Sequence, residues 1–282
     1  GVAPLLFMQV LYGHFFYTSS IIMGWPWFLV VVVLILGYYA AYLGSFRGTK
    51  LGMARGPMLL ISGLAVLYTG FMLSNNTSLM LTPDRWADMY FAAPGGTSLN
   101  TGDHVLWPRF LHMVLGAVAV AGLFLASLGQ REKNDAELGD LMVGRGLTVF
   151  LTLTVVNIVM GFGYLMALER EVMLQFMGDS GHATGLLGLG VVLALVMVGL
   201  GFRARGRPRA ALAPLWIVTI LTVVVMVLMR DFVRKATLGS NYDPASFAVA
   251  PQWLNIGIFG VLLVAGLATV WWMVRKLQTA KP

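Results

Sequence analysis

The chain has 282 residues and no cysteine. That absence excludes disulfides, thiolate zinc or iron–sulfur sites, and the CxxCH attachment of a c-type haem. Charge is scarce as well: 11% of residues are charged, against roughly 25% in soluble domains. A chain with so little polar surface cannot face water all round. It also lacks internal repeats, low-complexity tracts, nucleotide loops, zinc motifs and nucleophile constellations, so no catalytic residue is expected. The net charge of +7 is accounted for by basic residues gathering in cytoplasmic loops, and nucleic acid is not an expected partner.

What is present is apolar. Hydrophobic residues make up 58% of the chain, in runs such as "FLVVVVLILGYYAAYLG", "FLHMVLGAVAVAGLFLASLG" and "WIVTILTVVVMVLM". Each approaches the roughly 20 residues that cross a bilayer as a helix, and such runs satisfy their backbone in lipid only as helices or closed barrels. The expected fold class is all-α: one polytopic transmembrane bundle over 1–282. Eight spans are predicted, at about 2–23, 26–46, 57–80, 108–130, 147–168, 183–202, 211–232 and 254–275. Residues 1–23 have no basic n-region and no A-x-A-like site, so a retained span rather than a signal peptide is expected there.

Lysines and arginines orient the bundle. One set of span ends carries thirteen and the other six, Arg85, Arg109, Arg170, Arg230, Arg234 and Lys235. The bias predicts both termini in the cytoplasm, and the composition suits a bacterial inner membrane. "NNTS" at 75–78 matches a glycosylation acceptor formally, but it falls at a span end and is discounted.

All four histidines fall toward the external face of this layout. His14, in "LYGHFFYTSS", lies about nine residues, or roughly 13 Å, from the outer end of span 1. His112, in "WPRFLHM", lies about five residues, or roughly 7 Å, inside span 4. His182 opens span 6, and His104 sits in the external loop 82–107 just before span 4. Two imidazoles on different helices at similar depth are the arrangement that ligates a b-type haem axially. Gly13 and Gly116 permit close approach, Phe15, Phe16, Phe110 and Met113 supply apolar walls, and Arg109 lies one turn outward of His112 to pair with a propionate. His14 and His112 are therefore the expected metal ligands, with Arg109 binding the cofactor. His182 is the expected substitute or second-haem ligand, and His104 reads as an ordinary loop residue. Against this, a lone intramembrane histidine often only hydrogen-bonds across a helix interface.

Asn157, Tyr164, Tyr12 and Tyr17 are polar groups available to a quinone, or to helix packing. No carboxylate is predicted within a membrane core, which counts against proton pumping. "LEREVMLQFMGDSGH", 168–182, predicts a short amphipathic helix through Met173, Phe176 and Met177. Loops 82–107, 169–182 and 233–253 are the expected docking surface.

In the placement of these histidines, the "WPRFLHM" entry and the outer-face cations, the chain resembles the polytopic b-type cytochrome membrane subunits of bacterial respiratory complexes. It differs from the four-helix cytochrome b pattern, which has histidine pairs at both depths, so a single haem near one face is expected. The resemblance implies a subunit of a quinol- or cytochrome-type oxidoreductase complex rather than an enzyme alone. It also implies a quinone on one side of the chemistry and a periplasmic cytochrome or Fe–S protein on the other, with further subunits and lipids as partners. The alternatives are a small-solute transporter or channel, and a cofactor-free membrane anchor.

Overall fold

The structure, a computed structural model, describes residues 2–205, 211–239, 242 and 252–279. Within these there are ten α-helices and no strand: α1 (Val2–Phe46), α2 (Gly48–Leu51), α3 (Arg55–Met80), α4 (Trp86–Ala92), α5 (Leu106–Gly129), α6 (Ala136–Ala167), α7 (Arg170–Leu174), α8 (Gly181–Arg205), α9 (Ala213–Leu238) and α10 (Trp253–Thr279). Seven described helices are long and apolar enough to cross a membrane, so the chain is an all-α, multi-pass helical protein. Residues 240–282 form a separate compact unit. Its helix α10 is mostly apolar and ends in a basic turn, with Arg275 over the Trp271 ring. Most of the expected docking loop 233–253 lies outside the described residues, as do Arg207, Arg209 and Lys281.

The expected spans 2–23 and 26–46 form one helical stretch, α1, broken at "GWPW". Gly24 adopts φ +33° and ψ −99°, a left-handed conformation that glycine tolerates. Pro26, which has no N–H, follows inside the helix and blocks the normal ladder. The Trp25 N–H donates to the Gly96 carbonyl (2.9 Å), and the Tyr68 hydroxyl donates to Pro26 O (2.8 Å), so the break is tied to the long loop and to α3. A Cβ on Gly24 would sit 2.6 Å from Gly96 O, so loop and break are seated directly on one another.

The arm after the break, 25–46, runs antiparallel to α3, with Gly37 against Ala65 and Gly44 against Leu59. The arm before it makes its cross-chain contacts at the end of the bundle that carries residues 81–105, here the long-loop end. Tyr12 lies under Arg234, one turn from the end of α9 (4.4 Å), Phe15 packs on Trp86 (5.7 Å), and Ser19 and Ser20 bond Asn76, one turn from the end of α3. This arm therefore reaches across that end from α3 toward α9, a path that hydropathy alone did not predict.

From α3 to α9 each long helix packs chiefly on its neighbours in sequence. Phe71 of α3 meets Trp107 and Phe110 of α5, each at 5.4 Å. The α5–α6 contact is made by main chain. Gly122, Ala126 and Gly129 of α5 face Gly139 and Gly146 of α6 so closely that a Cβ on Gly146 would lie 2.6 Å from Ala126 N and Gly122 O. Small residues permit this approach where lipid supplies no hydrophobic drive. Helix α6 begins eleven residues before the expected span, because the Asp135 carboxylate caps it by accepting from Leu138 N–H (2.9 Å).

Helices α5, α6, α8 and α9 share two apolar layers. One, remote from the long loop, joins Ala119, Leu123 and Ala126 to Leu147, Phe150, Met197 and Leu215. There Trp216 Nε1 donates to Ser127 Oγ (2.8 Å), fastening the start of α9 to α5. The other, at the long-loop end, joins Leu165, Leu168, Val172, Phe176, Ala183 and Val233. The expected amphipathic helix forms as α7 and a π-type turn, Gln175–Asp179. It buries Phe176 but leaves Met177 exposed, since successive helical residues point about 100° apart.

Candidate functional site

Between those two layers the same helices carry polar groups. On α5 the stretch holds Arg109, His112 and Gly116; on α6 it holds Asn157, Gly161 and Tyr164; on α9 it ends at Arg230. At its long-loop edge the stretch meets the second layer, since Tyr164 and Met229 pack against it.

His112 is half-buried and its orientation is specific. Nδ1 lies 3.2 Å from the backbone carbonyl of Asn157. A carbonyl only accepts, so Nδ1 carries the proton and Nε2 keeps its lone pair. Gly161 makes room for the ring: a Cβ there would sit 3.0 Å from His112 Cε1. Gly116 lies against the Asn157 amide, where a Cβ would sit 3.2 Å from Nδ2. A histidine fixed through Nδ1 by a carbonyl, with Nε2 free, is arranged as metal-ligating histidines usually are.

The cations gather toward the long-loop edge of this stretch. Arg109 is 5% exposed although it lies in an apolar helix. It is within electrostatic reach of Tyr164, Asp103 and Arg234, and Arg230 is within reach of Arg109, Tyr164 and Arg234. Acidic groups are too few to match them. Asp231 is shared by Arg234 (2.5 Å) and Lys235 (2.7 Å). Both Asp103 oxygens are engaged, Oδ1 by Val105 N–H (3.0 Å) and Oδ2 by the Ser78 hydroxyl and the Asn100 amide. Neither Arg109 nor Arg230 forms an ion pair among the described residues.

The other histidines stand apart. His14 is exposed, on the opposite face of its arm from the buried Tyr12, Phe15, Phe16 and Ser19, and its ring neighbour is Phe15 (5.9 Å). Its open face also presents Val10, Leu11, Tyr17 and Ile21. No contact among the described residues joins His14 to His112, and no group of three or more His, Asp or Glu is placed to share a metal. His182 is exposed at the start of α8, with its ring 6.3 Å from Phe232. His104 has a side chain 75% exposed beside Asp103. Of the expected site, then, His112 and Arg109 share one neighbourhood, while His14 and His182 lie outside it. Gly161 and the Asn157 carbonyl join the site without a signature in the sequence.

Beneath the long loop lies a second polar cluster. Asn100 N–H donates to Asn75 Oδ1 (3.1 Å), Asn100 Nδ2 to Ser78 Oγ (3.1 Å), and Arg85 Nη1 to Asn100 Oδ1 (2.9 Å). Its oxygens are taken by internal donors, so it fastens the loop to α3 rather than presenting a ligand set.

No protein-family model matches this chain, and comparisons with curated proteins and with solved structures likewise give no match.

Proposed function

We propose that this chain is a membrane-embedded electron-transfer subunit of a respiratory oxidoreductase complex, holding a b-type haem in the polar stretch of the α5–α6–α8–α9 bundle. The observation that carries the reading is His112, fixed through Nδ1 by the Asn157 carbonyl with Nε2 left as the iron-binding nitrogen. Gly116 and Gly161 give the ring space, and Arg109, one turn toward the long-loop end, suits a carboxylate edge. A haem supplies one-electron transfer. The chain's part is to fix the histidine tautomer, exclude water through two apolar layers and balance the anionic edge. A second iron ligand would have to come from another group, since His14 is turned to the outer face of its arm.

In this reading the long-loop end faces the periplasm of a bacterial inner membrane. Electrons pass between membrane quinone and a periplasmic cytochrome or Fe–S protein. The helix break at Gly24 is the feature a transporter would share, but the N–H of Trp25 beside it is taken by the Gly96 carbonyl.

Reduced-minus-oxidised spectra of the purified protein test the proposal. A b-type signal is expected, lost in His112→Ala and kept in His104→Ala. A fully loaded preparation without chromophore, in a complex that still assembles, would identify a cofactor-free anchor instead.

A further inference from the structure

The turn that joins α1 to α3 carries charge of one sign only. Arg47, Lys50 and Arg55 are exposed there, no acidic residue precedes Asp84, and Asp84 lies beyond the opposite end of α3. None of the three cations forms an ion pair among the described residues. The backbone keeps them close. The Arg47 carbonyl accepts from the N–H groups of Lys50 (2.9 Å) and Leu51 (3.0 Å), which places Arg47 and Lys50 one helical turn apart, as surface neighbours. Gly52, at φ +52°, turns the chain back, and Arg55 opens α3 three residues later.

Apolar neighbours fix the level of this turn. The last turns of α1 expose Tyr38, Tyr39, Tyr42 and Phe46, with Tyr42 stacked on Phe46 (5.5 Å). Tyrosines collected at the end of a span mark the membrane–water interface. Met53, between Lys50 and Arg55, is 97% exposed, an apolar side chain that acyl chains accept and water does not. The α5–α6 turn at the same end of the bundle is of the opposite kind. There Glu132, Asp135, Glu137 and Asp140 outnumber Arg131 and Lys133, and Glu132 and Asp135 are engaged by the N–H groups of Asn134 and Leu138. Uncompensated charge is thus concentrated in one turn, beside an exposed methionine.

We propose that residues 46–55 form a docking surface for anionic phospholipid headgroups, independent of the haem reading. The three cations take the phosphate oxygens, the arginines through paired donors and Lys50 as a point charge, while Phe46 and Met53 enter the acyl region beneath. Each cation held at an anionic surface favours it by about fivefold.

The chain has no cysteine, so Met53→Cys in the full-length protein takes a bimane label at a single site. Phosphatidylcholine nanodiscs are doped with brominated lipid, either phosphatidylglycerol or phosphatidylcholine. Brominated phosphatidylglycerol should quench the label about threefold more strongly, part of the full electrostatic gain because salt screens exposed charge. The difference should shrink toward zero in 1 M salt. A label at Ala136→Cys, in the acidic α5–α6 turn, should be quenched alike by both lipids. Arg47→Gln, Lys50→Gln and Arg55→Gln together should remove the preference at position 53 and leave position 136 unchanged. Equal quenching of the parent by the two headgroups, or a preference that survives in the triple variant or in 1 M salt, would overturn the proposal. Absence of quenching by either lipid would also overturn it and point to a protein cover. So would inorganic phosphate that removes the preference where chloride of equal ionic strength does not, since that marks a free-anion site.

Discussion

Replacing Gly146 by alanine tests the main-chain contact on which His112 is mounted. The new Cβ would lie 2.6 Å from both Ala126 N and Gly122 O, whereas non-bonded heavy atoms settle near ~3.5 Å. Helices α5 and α6 would have to part by almost one ångström, because neither obstructing atom belongs to a side chain that can rotate away. Overpacking of this kind costs about 1–3 kcal/mol. Alanine returns about 1 kcal/mol through its better helix propensity, leaving a net loss between about 0 and 2 kcal/mol. Gly144, two residues away on α6, is the control, since a Cβ there meets nothing within 4 Å. Gly144→Ala keeps the propensity gain without the clash, so the difference between the variants isolates the steric cost at about 1–3 kcal/mol, roughly five- to a hundredfold in the unfolding equilibrium. Unfolding in mixed micelles over a range of SDS mole fractions measures it. Equal stability of the two variants would refute the close contact.

Gly161→Ala should crowd the His112 ring and weaken its bond to the Asn157 carbonyl, lowering haem affinity by about 10–100-fold, as read by spectrophotometric titration. Gly163→Ala, whose Cβ meets nothing within 4 Å, should titrate like the parent. Gly96→Ala places a side chain at φ +66° and 3.2 Å from Gly24 Cα and Ile21 O. The left-handed conformation alone costs about 1–2 kcal/mol, so the Trp25 amide should exchange with deuterium about tenfold faster. Asp231→Asn removes the one acid shared by Arg234 and Lys235. The pair is partly exposed, so a loss under about 1 kcal/mol is expected in a melt, shrinking toward zero in 1 M salt.

The long helices were legible because length and hydropathy are local properties. The break at "GWPW" was legible too, since glycine followed by proline disrupts any helix. The course of the chain beyond it was not. Turning at Gly24 leaves both arms equally apolar, so hydropathy cannot distinguish an arm that descends along α3 from one that reaches across the bundle's end. The early start of α6 was hidden because 136–146 is only moderately apolar, and its helicity depends on the Asp135 cap. Arg109 and His112 could be paired from their three-residue spacing. The acceptor for His112 could not, because a backbone carbonyl leaves no mark in a sequence. His14 looked like its counterpart because its arm is apolar on every side, so nothing in the pattern showed that Tyr12, Phe15, Phe16 and Ser19 would face inward.

A joint built from Gly122, Ala126, Gly129, Gly139 and Gly146 contains no rotamers for thermal motion to rearrange. Helices α5 and α6 should therefore behave as a single stator, with the height of the imidazole above the membrane midplane set by covalent geometry. Only the smallest side chains fit at these five positions.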